Sequence, residues 1–353
     1  MILSLSFRPY LSRAVLILAL AAAFAQGLWA QRTDTPRRGE GIGTFLERNH
    51  LPSKVYYEAF IRLNQNRLKG RKELLLGVKY ILPEPGDTLP QVSKPVLEAP
   101  GVKAGDVLVE PLFGKQNEKV KVEDTSLKGT CFYIVSGHGG PDPGAIGKYE
   151  GKSLHEDEYA YDVALRLARA LMQKGATARI LVQDAKDGIR SGSVLGTGRN
   201  ETLMGQAIPL DQVARLKQRC DKIEELFQKD NEAFSYVRAV FIHVDSRSSA
   251  KRLDVFFCYN PKHEDGKRLA TNVKDVFEEK YRQHQPSRGF QGTVETRDLY
   301  VMEHTRVTSL FVELGNIQNA QDQKRFLLEG NRQALASWMA EGLVKDFSSS
   351  KKK

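Results

Sequence analysis

From residue 130 to the C-terminus, short apolar runs alternate with longer amphipathic stretches. The runs fall at 131–135, 178–183, 237–243, 253–259 and 307–313, each of a length suited to a buried strand. Between them, 156–174, 209–229 and 266–282 carry apolar residues at helical spacing, and a further helix fits 331–347. This alternation predicts an α/β domain over 130–347, a mixed, mostly parallel sheet covered by helices. Between Asp184 and Ile208 lies a glycine- and polar-rich insert, longer than an ordinary strand-to-helix loop. It reads as a lid or regulatory element near the strand ends, with a plain surface loop as the equal alternative.

Upstream the pattern differs. Residues 31–39 are polar and read as loose. Residues 40–83 form a small α+β unit: helices at 44–49 and 56–63, then an apolar run at 74–83. A linker with short extended segments is expected over 84–127, marked by Pro85, Gly86, Pro90, Pro95, Pro100 and Gly101. At the N-terminus, Arg8 and Arg13 precede an apolar stretch at 14–25 that is short for a membrane span. Residues 1–30 therefore read as a secretory signal, with cleavage after Ala25 or Ala30; an uncleaved anchor is the alternative.

The 353-residue chain carries a formal net charge of +10, which favours an anionic partner. For an exported protein that means a wall polymer or a membrane surface in preference to nucleic acid. The three cysteines, Cys131, Cys220 and Cys258, lack paired metal-site spacing and give no disulfide framework. Cys131 and Cys258 sit in strand-like runs, as small buried hydrophobes do.

The candidate chemistry starts where the first strand breaks. After Tyr133-Ile134-Val135-Ser136 comes Gly137-His138-Gly139-Gly140-Pro141-Asp142-Pro143-Gly144, a turn that continues neither strand nor helix. A phosphate cradle is excluded, because Asp142 stands where the dinucleotide pattern needs its last glycine and Ile146 where a P-loop needs its first. His138 is then either a metal ligand or an incidental turn histidine.

Glu156 opens the next helix on the face of Ala160, Val163 and Leu167, where a carboxylate is costly unless something positive receives it. The alternative is first-turn placement favoured by the helix dipole. Glu158 falls on the opposite side with Asp162, Arg166 and Arg169, a face expected to be solvated, and Asp157 is intermediate. Tyr159 denies His155-Glu156 the second histidine of an HExxH motif.

A second strand, Ala239-Val240-Phe241-Ile242, ends in His243. Two strand-end histidines with an inward glutamate are a catalytic zinc set that leaves one position for water. A satisfied core histidine is the alternative for either alone. His50, His155, His263, His284 and His304 lie in polar or helical contexts and are expected at the surface. Glu313 interrupts the end of Leu310-Phe311-Val312, as a general base beside such a water would, or as an edge-strand glutamate reaching solvent. Asn319 is placed to cap the following helix.

These four segments, in this order, resemble the zinc-dependent N-acetylmuramoyl-L-alanine amidases of bacterial cell-wall turnover. The matches are 137–147, Glu156, Ile242-His243 with Asp245, and Val312-Glu313-Leu314-Gly315 with Asn319. The chain departs from the family at Val135-Ser136, Val244 and 316–318. The resemblance implies that His138, Glu156 and His243 bind zinc, that Glu313 is the catalytic carboxylate, and that the amide between N-acetylmuramic acid and L-alanine in peptidoglycan is hydrolysed. The export signal puts the mature protein in the periplasm or cell envelope, free of the membrane once the signal is removed, and an activating protein partner is compatible with the resemblance. A zinc peptidase cutting within the stem peptide, or a wall-binding protein without catalysis, are the rival readings. Residues 40–83 are similar to a divergent LysM module through 41–46, 60–64 and 77–83, although its usual opening strand and Gly-Asp-Thr are missing.

Overall fold

The computed structural model describes residues 32–84, apart from 70 and 72, and residues 101–351. The signal at 1–30, most of the proline-rich linker and the end of the lysine tail lie outside the described residues. The chain divides into two compact units, with the boundary near residue 88.

In the first unit, β1 (Thr33–Asp34) pairs antiparallel with β2 (Tyr80–Ile81). Between them come α1 (Ile42–Arg48), α2 (Ser53–Leu63) and the one-turn α3 (Gln65–Leu68). Phe45, Leu46, Phe60, Leu68, Tyr80 and Leu82 form its core. Asn64 is fully buried and satisfies both backbone groups of Ile81, accepting from its N–H (2.7 Å) and donating to its carbonyl (2.8 Å). The expectation of a loose 31–39 is corrected here. Arg48 bonds Asp34 (2.7 Å), the Thr35 carbonyl and Glu40, fixing this polar stretch against α1.

The second unit begins with β3 (Val107–Val109) and β4 (Lys119–Lys121), an antiparallel pair. Leu112, Phe113, Val120 and Leu127 of this region enter the main core. Then come β5 (Thr130–Ser136), the hairpin β6 (Ile146–Tyr149) and β7 (Lys152–His155), α4 (Glu156–Gln173), β8 (Thr177–Ile180) and β9 (Val182–Gln183). These lead to β10 (Thr202–Leu203), β11 (Gln206–Ala207), α5 (Gln212–Ala233), β12 (Tyr236–Asp245), β13 (Phe256–Tyr259) and α6 (Glu264–His284). The chain ends with β14 (Val294–Thr296), α7 (Tyr300–Glu303), β15 (Ser309–Asn316), α8 (Ala320–Leu327) and α9 (Glu329–Ser350).

Six strands form one sheet in the order β14-β13-β15-β12-β5-β8. Every neighbouring pair is parallel except β13 with β15. The side-chain alternation of a strand supplies both faces. Phe132 and Ile134 of β5 join the core shared with α4, α6 and α9, while Cys131, Tyr133 and Val135 join Ile223 and Leu226 of α5 on the other side. The result is a helix–sheet–helix sandwich, which is the mixed, mostly parallel α/β class read from the apolar periodicity.

One expectation about α4 fails. Glu158, Asp162 and Arg166 are buried, not solvated. Asp162 accepts from Arg166 Nε (2.8 Å), from Arg332 Nε of α9 (2.6 Å) and from the backbone N–H of Arg190 in the insert (2.8 Å). Arg332 also donates to the carbonyls of Arg190 (2.7 Å) and Gly192 (3.0 Å). The insert and α9 thus cover the polar face of α4, and the ion pairs offset its burial. Parts of the insert pack accordingly, with Leu195 and Glu201 buried and β10–β11 extending a small sheet from β9, while 191–193, 196, 197 and 199 stay exposed.

Candidate metal centre and active site

The parallel register brings three strand ends to one edge. Ile242 of β12 lies opposite Ser136 of β5, and the Gly137 N–H donates to the Ile242 carbonyl (2.8 Å). His243 lies opposite Glu313 of β15. Strand ends of an α/β sheet are where such folds bind ligands.

Glycines then let the backbone close around the side chains. A Cβ on Gly137 would overlap the His243 ring, and one on Gly144 would come within 2.7 Å of Glu156 Oε2. His138 itself adopts a left-handed backbone, φ 58°, a conformation unusual outside glycine. The turn bends back through Asp142, whose backbone pairs with that of Gly139.

Glu156 is the first residue of α4, held by its own N–H bond to the Ala145 carbonyl (2.9 Å). Its Oε2 accepts from the Ala145 N–H (2.8 Å) and Oε1 from the Val244 N–H (3.0 Å). The two histidines approach it from either side, His138 Nε2 at 3.2 Å from Oε2 and His243 Nδ1 at 3.0 Å from Oε1. One ligand atom from each of the three residues lies within 4.8 Å of the others. Glu156 is therefore inward, and its first-turn position serves the cluster.

The electrostatics fit a cation. Burial works against ionising Glu156, but hydrogen bonds from His138 and His243 hold it below the usual carboxylate range. Burial also opposes charging His138, yet Asp142 and Glu156 push it up to about 10. His243 is pulled down, chiefly by burial. A charged His138 thus faces two carboxylates, Asp142 behind it and Glu156 before it, and a divalent ion would replace its proton on the Glu156 side.

Glu313 stands on a central strand and is only 8% exposed, so the solvent-reaching edge glutamate is excluded. Its Oε2 is buried without a hydrogen-bond partner. Burial first, then the charges of Glu156 and Asp245, raise its pKa well above the usual value. Among the other histidines, His50, His284 and His304 are exposed, while His155 and His263 are half-buried.

Several supporting residues escaped the sequence reading. Asp142 accepts from His138 Nδ1 (2.9 Å) and from Arg215 Nη2 of α5 (2.6 Å), so it orients the ring that faces Glu156. Its position four residues after His138 in a tight turn was the available signal. Arg219 donates to the His138 carbonyl, and Phe311 stacks on His243 with centroids 4.4 Å apart. Asn319 caps α8 as expected, accepting from Gln321 and Asp322 N–H groups.

Comparison with known proteins gives the following. The family model described as N-acetylmuramoyl-L-alanine amidase matches residues 133–345. The germination-specific N-acetylmuramoyl-L-alanine amidase of Bacillus subtilis (strain 168) is 23% identical over 236 residues, covering 66% of this chain and 86% of its own length. The CwlD amidase from Clostridioides difficile, solved in complex with the GerS lipoprotein, matches at 18% identity with a TM-score of 0.45, over 63% of this chain and 100% of its own. The amidase AmiC2 of Nostoc punctiforme matches at 19% identity with a TM-score of 0.41, over 65% of this chain and 99% of its own.

The geometry predicts distinct effects of ligand and support. Glu156→Ala should abolish stoichiometric zinc binding. Asp142→Asn, which removes only the carboxylate behind His138, should weaken it by about 10–100-fold, as loss of such support typically does. Metal titration of the folded variants checks both. Unchanged affinity in Asp142→Asn would remove its orienting role.

Proposed function

The chain belongs to the N-acetylmuramoyl-L-alanine amidase family, and on that premise we propose a zinc-dependent reaction centred on His138, Glu156, His243 and Glu313. The activity is hydrolysis of the amide bond between N-acetylmuramic acid and L-alanine in peptidoglycan. The observation that carries the site assignment is the convergence of two imidazoles and one buried carboxylate beside an unpartnered glutamate oxygen.

His138, Glu156 and His243 would hold the metal, since two histidines and a glutamate are a zinc donor set that leaves a position open. When bound, zinc supplies Lewis-acid chemistry, polarising the amide carbonyl and making a water acidic near neutral pH. Glu313 accepts the water proton at its free Oε2 and passes it to the departing alanine nitrogen. Its pKa, raised by burial and by Glu156 and Asp245, suits the proton donation to the leaving nitrogen, and a bound dication would lower it toward what the base step needs. Asp142 and Arg215 keep His138 aimed throughout.

As a cell-wall hydrolase the protein works at the cell envelope. We further propose export to the periplasm by a signal over 1–30, a LysM-like wall-binding unit at 40–83, connecting segments at 84–127 and the catalytic domain at 130–347. The helices α1 and α2 with the one-turn α3, enclosed by a short antiparallel strand pair, support the LysM reading.

Glu313→Gln separates catalysis from metal binding. The amide keeps the size and polarity of the side chain but cannot serve as a base. Zinc content should be retained while stem release falls by about 10²–10⁴-fold. Mass spectrometry of digested peptidoglycan reads the rate and the bond: stems beginning at L-alanine fit the amidase, and alanine left on the muramic acid would instead mean a stem peptidase. Near-normal turnover with full zinc would overturn the role of Glu313.

Removal of residues 32–83 tests the N-terminal unit. Binding to insoluble sacculi should weaken while cleavage of small soluble fragments persists, because a second binding unit raises local substrate concentration without touching the chemistry. Undiminished pull-down by sacculi would eliminate the wall-binding assignment.

A further inference from the structure

Beside the catalytic centre lies a second group of acids that the amide hydrolysis does not use. Asp157 and Glu158 follow Glu156 in the first turn of α4, and Glu201 comes from the insert. All three are at most 5% exposed, and one carboxylate oxygen from each lies within 4.8 Å of the others. A fourth acid is aimed at the same place. Asp184, 1% exposed at the end of β9, has an Oδ2 with no hydrogen-bond partner. That oxygen, Glu201 Oε1 and Glu158 Oε1 all come within 3.4–3.8 Å of the point where a Cβ on Gly198 would sit.

Little positive charge answers these acids. Arg190 reaches Glu158 (2.8 Å) but is shared with Asp187 (2.6 Å). Backbone N–H groups supply the remaining contacts, Gly198 to Glu158 Oε1, Gly140 to Glu201 Oε2 (2.9 Å) and Glu158 to Asp157 Oδ1 (2.9 Å). Arg199 lies at the mouth of the adjoining cavity and is exposed. Burial, and then the charges of Glu158 and Asp184, push the Glu201 carboxyl up to about 7. Buried carboxylates without partners are costly. The cavity, about 280 Å³ and lined by Gly140, Asp157, Gly198 and Arg199 among others, provides a route from solvent.

We propose that Asp157, Glu158 and Glu201, with Asp184 facing them across Gly198, form a second cation site that takes calcium. The donors are all oxygens, which suits a hard cation, whereas zinc prefers the nitrogen-containing set at His138, Glu156 and His243. They arrive from three separate chain segments, a looser arrangement than the near-ideal octahedron magnesium demands. Bound there, calcium ties the insert to the first turn of α4. Because Glu201 also holds Gly140, it steadies the turn that carries His138.

The test uses the zinc-loaded full-length protein in calcium-free buffer near pH 7.5, titrated with calcium chloride. Calorimetry should give about one calcium per chain, and the melting temperature should rise by about 4–5 °C at a hundredfold excess over the dissociation constant. Asp184→Asn and Glu201→Gln keep an oxygen for the Lys186 and Gly140 N–H groups but remove charge. Each should lose the calcium response, retain its zinc, and melt no lower than wild type without calcium. Absence of calcium heat and of a thermal shift in wild type overturns the proposal, as does an equal response to magnesium or a response that survives both substitutions. A calcium-blind protein that grows more stable as pH falls through 7 also overturns it, showing that a proton on Glu201 neutralises the cluster.

Discussion

A carboxylate buried at the head of a helix, between two imidazoles, is the constraint on which the catalytic half of this molecule depends. Glu156 is 4% exposed. In such a place a charge persists only with partners on both oxygens. The chain provides them from four places: Ala145 from the glycine turn, Val244 from β12, and the rings of His138 and His243. Meeting that requirement fixes where α4 begins, how the 137–144 turn folds and how far β12 runs. The parallel pairing of β5, β12 and β15 then places Glu313 opposite His243 without any further device.

The same helix start creates a second problem, solved differently. α4 is buried around nearly its whole circumference, and its first turn holds three acids in succession. Glu156 turns to the histidines. Further along, Asp162 is neutralised by Arg166 and Arg332, which also anchor the insert through its carbonyls. Asp157 and Glu158 face Glu201 with much less compensation. The insert is thus bound to α4 by one network of firm ion pairs and one of poorly balanced acids, and the latter lies beside Glu156.

The legible and illegible parts of the sequence divide along physical lines. Strands β5, β12 and β15 announced themselves as apolar runs, and each site residue was the polar break at a run's end or a carboxylate out of place on an apolar stripe. Such signals are local. The burial of Glu158, Asp162 and Arg166 was not legible, because a helix's own periodicity cannot report that Arg332, far along the chain, covers its polar face. Two-residue strands such as β1 and β10 have no period to detect. The Arg215 that pairs with Asp142 lies on another helix far along the chain, and the acids that surround the unpartnered Asp184 oxygen come from other segments, so neither role shows in local pattern.

The central claim is that two histidines and Glu156 hold the metal while Glu313 remains free to move protons. Anomalous diffraction at the zinc edge from crystals of the zinc-loaded protein tests it most directly. The account predicts one strong peak bonded to His138, Glu156 and His243, with the Glu313 carboxylate outside bonding distance and turned toward a metal-bound water. A peak ligated by Glu313 in place of Glu156, or seated instead among Asp157, Glu158 and Glu201, would contradict it.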